Sequence, residues 1–174
     1  MSALNQAVQQ PTLQAQTQLT PMQILAKYQS EAPVNVLGFA RELGINVWGM
    51  DLLPNISGKI FRDEKNGGSS GFSIAINRSE APVRQRFTIA HEIAHFLLHR
   101  HLLESKSELI DDTMYRSGLS TAEEVAANKL AAHILMPFSL INSLVSSGIN
   151  DVGLLATRLQ VSKTAMAIRL GIPT

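Results

Sequence analysis

The order of local patterns along the chain predicts an α+β fold. It would hold a small three-stranded sheet, antiparallel in type, packed against a mainly helical body. Three observations lead there. Helical periodicity occupies both ends of the chain, alternating runs occur only within residues 45–77, and one long apolar helix with a single polar stripe lies between them. That helix would form the centre of the body.

The elements follow in order. Residues 1–20 carry no charged side chain and six glutamines, and are expected to be a flexible polar tail. Thr20-Pro21 is a cap followed by proline at the first helical position, so a helix runs from there to about residue 30. A second covers 34–43 and stops at Gly44. Strands are expected at 45–48 and 58–61, around the Leu53-Pro54-Asn55 turn, and at 72–77, where apolar and small residues alternate. The long helix spans 83–100. Residues 104–119 are polar and expected to be irregular. A second long helix runs from Thr121 to Met136, capped by Ser120 or Thr121 with Glu123 or Glu124 near the capping-box position, and Pro137 stops it. Short helices follow at 139–146, 151–159 and 162–170.

Composition narrows the function classes. The 174 residues suffice for one domain, and 45% hydrophobic content supplies a core. A formal net charge of +1 gives no global field for nucleic acid or membrane. The chain has no cysteine, which excludes disulfides, thiolate metal sites and cysteine nucleophiles, and fits a reducing cytoplasm. No apolar run is long enough to be read as a membrane span, and no secretion signal is seen at the N-terminus.

The long helix carries the chemistry. His91-Glu92-Ile93-Ala94-His95 is an H-E-x-x-H motif. On a helix the two histidines lie about 40° apart around the axis and one turn apart along it, so both can reach one metal ion. Glu92, about 100° from His91, can reach a water there. Thr88, His91, His95, His99 and Glu92 share a wedge of about 100°. Phe87, Ile89, Ala90, Ile93, Ala94, Phe96, Leu97 and Leu98 fill nearly all the rest. A helix buried on most sides whose only polar stripe is His and Glu would cost several kcal/mol unless a metal satisfied it, on the rough scale for polar burial. A catalytic zinc site takes three protein ligands and an open position. Two residues compete for third ligand. His101 sits where a metzincin places its last histidine, but Leu98 replaces the glycine that would turn the chain out of the helix. Glu124 lies on the next long helix with Asn128 one turn on, among Ala127, Ala131 and Ala132, which allow close helix packing. A carboxylate with a hydrogen-bonding partner one turn later suits a ligand plus a group that orients a histidine. Glu123 points about 100° away and suits helix capping.

The run Arg86-Phe87-Thr88-Ile89-Ala90-His91-Glu92-Ile93-Ala94-His95-Phe96-Leu97-Leu98-His99 resembles the signature of the ImmA/IrrE metallopeptidases. Glu124-x-x-x-Asn128-x-x-Ala131-Ala132-x-x-Leu135-Met136-Pro137 is similar to that family's second motif. The resemblance covers about residues 34–171. It implies a zinc-dependent endopeptidase with His91, His95 and Glu124 as Zn2+ ligands and Glu92 as catalytic base. It further implies a protein substrate, a helix-turn-helix repressor or antitoxin. Tyr115, His99 and His101 are candidate oxyanion or substrate contacts, and strand 72–77 is a candidate edge for an extended peptide. The alternative is a non-catalytic binding module around a structural metal. Residues 21–150 would form the peptidase domain, with 151–174 closing it as helix-turn-helix-like helices. Arg158, Lys163 and Arg169 there are too few to make DNA binding the favoured role.

Overall fold

In a computed structural model, which describes residues 19–106, 108–112 and 120–173, the chain is α+β. The expected N-terminal tail lies almost wholly outside the described residues, as does Tyr115. Helix α1 (Pro21–Tyr28) starts at a capping box in which Thr20 and Gln23 satisfy each other's backbone N–H groups. Helix α2 (Val36–Glu42) is capped by the Asn35 side chain. Gly44, at φ +78°, then reverses the chain into β1 (Ile45–Met50). Strands β2 (Ile56–Arg62) and β3 (Phe72–Asn77) follow.

The sheet departs from the expected one in two respects. Its order is β1-β3-β2-β4, with a fourth strand, β4 (Glu108–Asp112), inside the segment expected to be irregular. It is also mixed: β1 runs parallel to β3, and β2 runs antiparallel to both β3 and β4. Strand β3 is therefore interior, flanked on both sides and buried at all six residues, so it cannot be the free edge proposed for a peptide. Its polar residues are satisfied internally. Ser73 Oγ accepts from Trp48 Nε1 at 3.1 Å and donates to Asp63 Oδ2 at 2.9 Å.

Phe72, Ile74 and Ile76 point into a core shared with Ile60, Ile89 and Ile93. The last two belong to α3 (Pro82–Leu98), which crosses the sheet and is buried at every residue from Thr88 to Phe96. It ends two residues earlier than the expected unbroken helix through residue 100. His99 leaves helical geometry (φ −125°, ψ 25°), and α4 (Arg100–Lys106) starts afresh. Helix α5 (Thr121–Leu135) packs along α3, with Ala127 and Ala131 fully buried between them. Glu123 closes the capping box with Ser120, which is the helix-terminal role expected of it.

Met136 and Pro137 break the chain before α6 (Phe138–Ser146). The apolar stretch Thr121–Ser146 has the length and composition of a membrane span, but it is two helices with buried faces. Helices α7 (Val152–Leu159) and α8 (Lys163–Arg169) meet at Gln160, which takes the left-handed conformation. Leu155, Leu159 and Met166 from this pair join the same core as α3 and the sheet.

Candidate metal centre

Three side chains from two helices converge where α3 and α5 cross. His91 and His95, one turn apart on α3, bring their Nε2 atoms to 2.8 Å. Glu124, in the first turn of α5, places Oε2 3.4 Å from His91 Nε2 and 3.7 Å from His95 Nε2. One ligand atom from each of the three lies within 4.8 Å of the others. Both histidines are buried, at 3% and 2% exposure, whereas the Glu124 side chain keeps 27%. The cluster therefore has a dry floor and one side open to solvent. The imidazoles of His91, foremost, and His95 face the Glu124 carboxyl and hold it well below the ordinary carboxylate range. It stays ionised in neutral solution.

The far nitrogens of both rings are held as well. His91 Nδ1 faces Asn128 Oδ1 at 3.1 Å. His95 Nδ1 faces His99 Nδ1 at 3.0 Å. Phe87 stacks on the His91 ring, with centroids 6.2 Å apart. Each Nε2 is thereby aimed at Glu124. Two imidazole nitrogens and one carboxylate oxygen, converging with an open side, are the donor set of a three-ligand divalent metal site. The residues present fit such an ion. Glu92, next to His91 and only 1% exposed, belongs to the same polar stripe of α3.

A profile of the IrrE N-terminal-like domain, peptidase family M78, matches residues 40–171. This chain belongs to that family. Among solved structures, the M78 domain described here is similar to a Mycobacterium tuberculosis transcriptional regulator, with a TM-score of 0.55 at 18% identity. The match covers 87% of this chain and 46% of the regulator, so the chain spans about half the length of that protein, and the likeness is one of fold. No curated protein matches the chain significantly.

The structure brings together His91, His95, Glu124 and Asn128, with Glu92 beside them. It does not bring His101, which is exposed on α4. The helix breaks without the glycine of a metzincin, yet the break leaves His101 in solvent. His99 lies behind His95, on the ring edge away from Glu124. That placement supports a supporting role rather than a substrate contact. The signal for it was in the sequence, as a third histidine repeating the four-residue spacing. An apolar groove of about 430 Å³ between α5 and α8 ends against Phe87 and Asn128, on the Nδ1 side of His91.

Proposed function

We propose that this chain is a zinc-dependent endopeptidase. The observation that carries the reading is the convergence of His91, His95 and Glu124 with Glu92 on the same buried stripe. A bound divalent ion would supply Lewis acidity, acidifying water and polarising a carbonyl. The chain's own groups do the rest. His91 and His95 present their Nε2 atoms, with the rings held by Asn128 and His99. Glu124 adds one negative charge. Glu92 takes the proton of the attacking water and passes it to the leaving amine as the peptide bond breaks. A purely structural site would have no need of a carboxylate at position 92.

The substrate in this reading is a protein, a helix-turn-helix repressor or antitoxin. Membership of a peptidase family and likeness to a protein named as a transcriptional regulator support it. Residues 21–150 would form the catalytic domain, closed by 151–174. The burial of Leu155, Leu159 and Met166 in the common core supports that role for α7 and α8. Arg169, counted among the cations for DNA, donates Nε to Met136 O and lies over Phe138, which favours a structural use. A chain without cysteine suits the cytoplasm.

The test is Glu92→Gln. The variant should keep the metal content of wild type and cleave a candidate repressor about 10²–10⁴-fold more slowly. Unchanged cleavage by a metal-replete E92Q protein would overturn the assignment. Wild type that binds metal and the repressor without cleaving it would establish the non-catalytic reading instead.

A further inference from the structure

His99 has no part in the reaction as described, yet it is buried, at 7% exposure. Its position is fixed from both directions. Its N–H donates to His95 O at 2.8 Å, and its carbonyl accepts from Leu102 at 2.9 Å and Leu103 at 3.3 Å. The break between α3 and α4 is therefore built around this residue. The result is a Nδ1 to Nδ1 distance of 3.0 Å between His99 and His95.

Two ring nitrogens at that distance need one proton between them. Two bare lone pairs would repel, and so would two N–H groups. The Nε2 atoms of His91 and His95, at 2.8 Å, face the same restriction, which an ion held between them would lift; at the Nδ1 pair two neutral arrangements remain. In the first, His95 Nδ1 carries the proton, His99 Nδ1 accepts it, and His95 Nε2 is bare. In the second, His99 Nδ1 donates, and the proton of His95 sits on Nε2, facing His91 and Glu124. The second arrangement blocks the nitrogen that a metal needs.

We propose that His99 is a positioning residue for the metal centre: its Nδ1 accepts the Nδ1–H of His95 and so leaves His95 Nε2 bare toward the ion. The inference rests on the metal-centre reading above. Metal-binding histidines usually donate their second N–H to a carboxylate, a carbonyl or water. An imidazole in this place has a physical advantage. Glu92 and Glu124 already bring two carboxyl groups to the same buried crossing, and a third carboxylate would add repulsion in a dry setting. Imidazole accepts the hydrogen bond without adding charge. Asn128 does the same for His91 with an amide oxygen. Both ring ligands are thus supported by neutral acceptors, and Glu124 supplies the negative charge of the ligand set.

The experiment compares zinc affinity in wild type, His99→Phe and His99→Asn, by competition with a chromophoric chelator. Phenylalanine keeps a ring and removes the acceptor. Asparagine places Oδ1 where Nδ1 was. H99F should bind zinc about 10–100-fold more weakly, and H99N should recover most of the loss. H99F binding like wild type would overturn the proposal, as would H99N falling as far as H99F. A wild type that takes up no zinc would overturn the metal-centre reading itself, which separates the two failures. Nitrogen-15 histidine spectra of zinc-loaded wild type decide the matter even where H99F does not fold. They should show the proton on His95 Nδ1, with a coupling across the hydrogen bond to His99 Nδ1. A proton on His99 Nδ1 would overturn the proposal.

Discussion

Gly58 lies on β2 where the sheet meets the helix that carries the metal-ligand candidates, and Gly58→Ala tests how tightly those layers are fitted. A methyl group built there would overlap Thr88 Cγ2 and stand 2.9 Å from Ala75 O. Neither neighbour yields easily. Thr88 is β-branched, fully buried and one turn before His91, and Ala75 O is backbone of the interior strand. Ordinary contact needs about 3.5 Å, so β2 and α3 must separate by about 1 Å and β2 and β3 by about half that. Overpacking of this kind costs about 1–3 kcal/mol. Replacing a strand glycine returns about 0.5–1 kcal/mol of that through lost unfolded-state freedom. The net expectation is a loss of about 1–2 kcal/mol, or about 2–8 °C in Tm for a domain of this size. Thermal and urea denaturation measure it. Adding Thr88→Ser removes the overlapping methyl and should recover about half the loss, the Ala75 carbonyl remaining in place. A G58A protein as stable as wild type, or a double variant no better than the sum of the single ones, would refute the packing argument.

Other consequences can be measured on the same protein. Glu124→Ala should lose most of the zinc bound by wild type, read as metal per chain by mass spectrometry; full occupancy in the variant would return His101 to consideration. In metal-free protein, the Glu124 carboxylate is held below its unfolded value, so its contribution to stability is whole above pH 4.5 and is lost as pH falls toward the folded value. Urea denaturation of wild type and Glu124→Gln should therefore show a stability gap that narrows from about pH 5 to about pH 3; a constant gap would contradict it. Asn77, 1% exposed, donates Nδ2 to Ile56 O at 3.0 Å and Leu53 O at 3.3 Å. Asn77→Asp turns a carboxyl group toward those carbonyls and should cost at least about 2 kcal/mol by denaturation; a smaller change would mean the β1–β2 turn does not depend on them.

What the sequence made legible follows from the range of each signal. Helix α3, α5 and the short C-terminal helices announce themselves through local caps and periodicity, and their bounds agree with expectation to within a residue or two. Strand β3 was readable to the residue as a strand, but not as an interior one. Alternation of Phe72, Ile74 and Ile76 with Ser73, Ala75 and Asn77 looks like one wet face. In the structure both edges of β3 are paired and its second face is buried as well, with the Trp48 indole donating to Ser73. The parallel β1–β3 pairing joins residues far apart in sequence and leaves no local mark. Strand β4 was missed because Glu108-Leu-Ile-Asp-Asp112 has the charge of an edge strand, which reads as loop. The ring contacts of His91, Asn128 and Glu124 were legible because each lies on a regular helix, where spacing fixes direction. The placement of His99 was not, because it depends on the helix breaking at that residue.

The candidate ligands are divided between α3 and α5, with residues 96–123 running between them. An ion shared by His95 and Glu124 would be a removable cross-link, tying the ends of that stretch into a closed ring. Its removal would return the segment's freedom to the chain without breaking a covalent bond. Binding to the folded form alone stabilises a protein in proportion to the logarithm of ligand supply. The fold would then register metal availability as mechanical firmness, and the clasp proposed to serve Glu92 would also set how long the molecule survives unfolding and degradation.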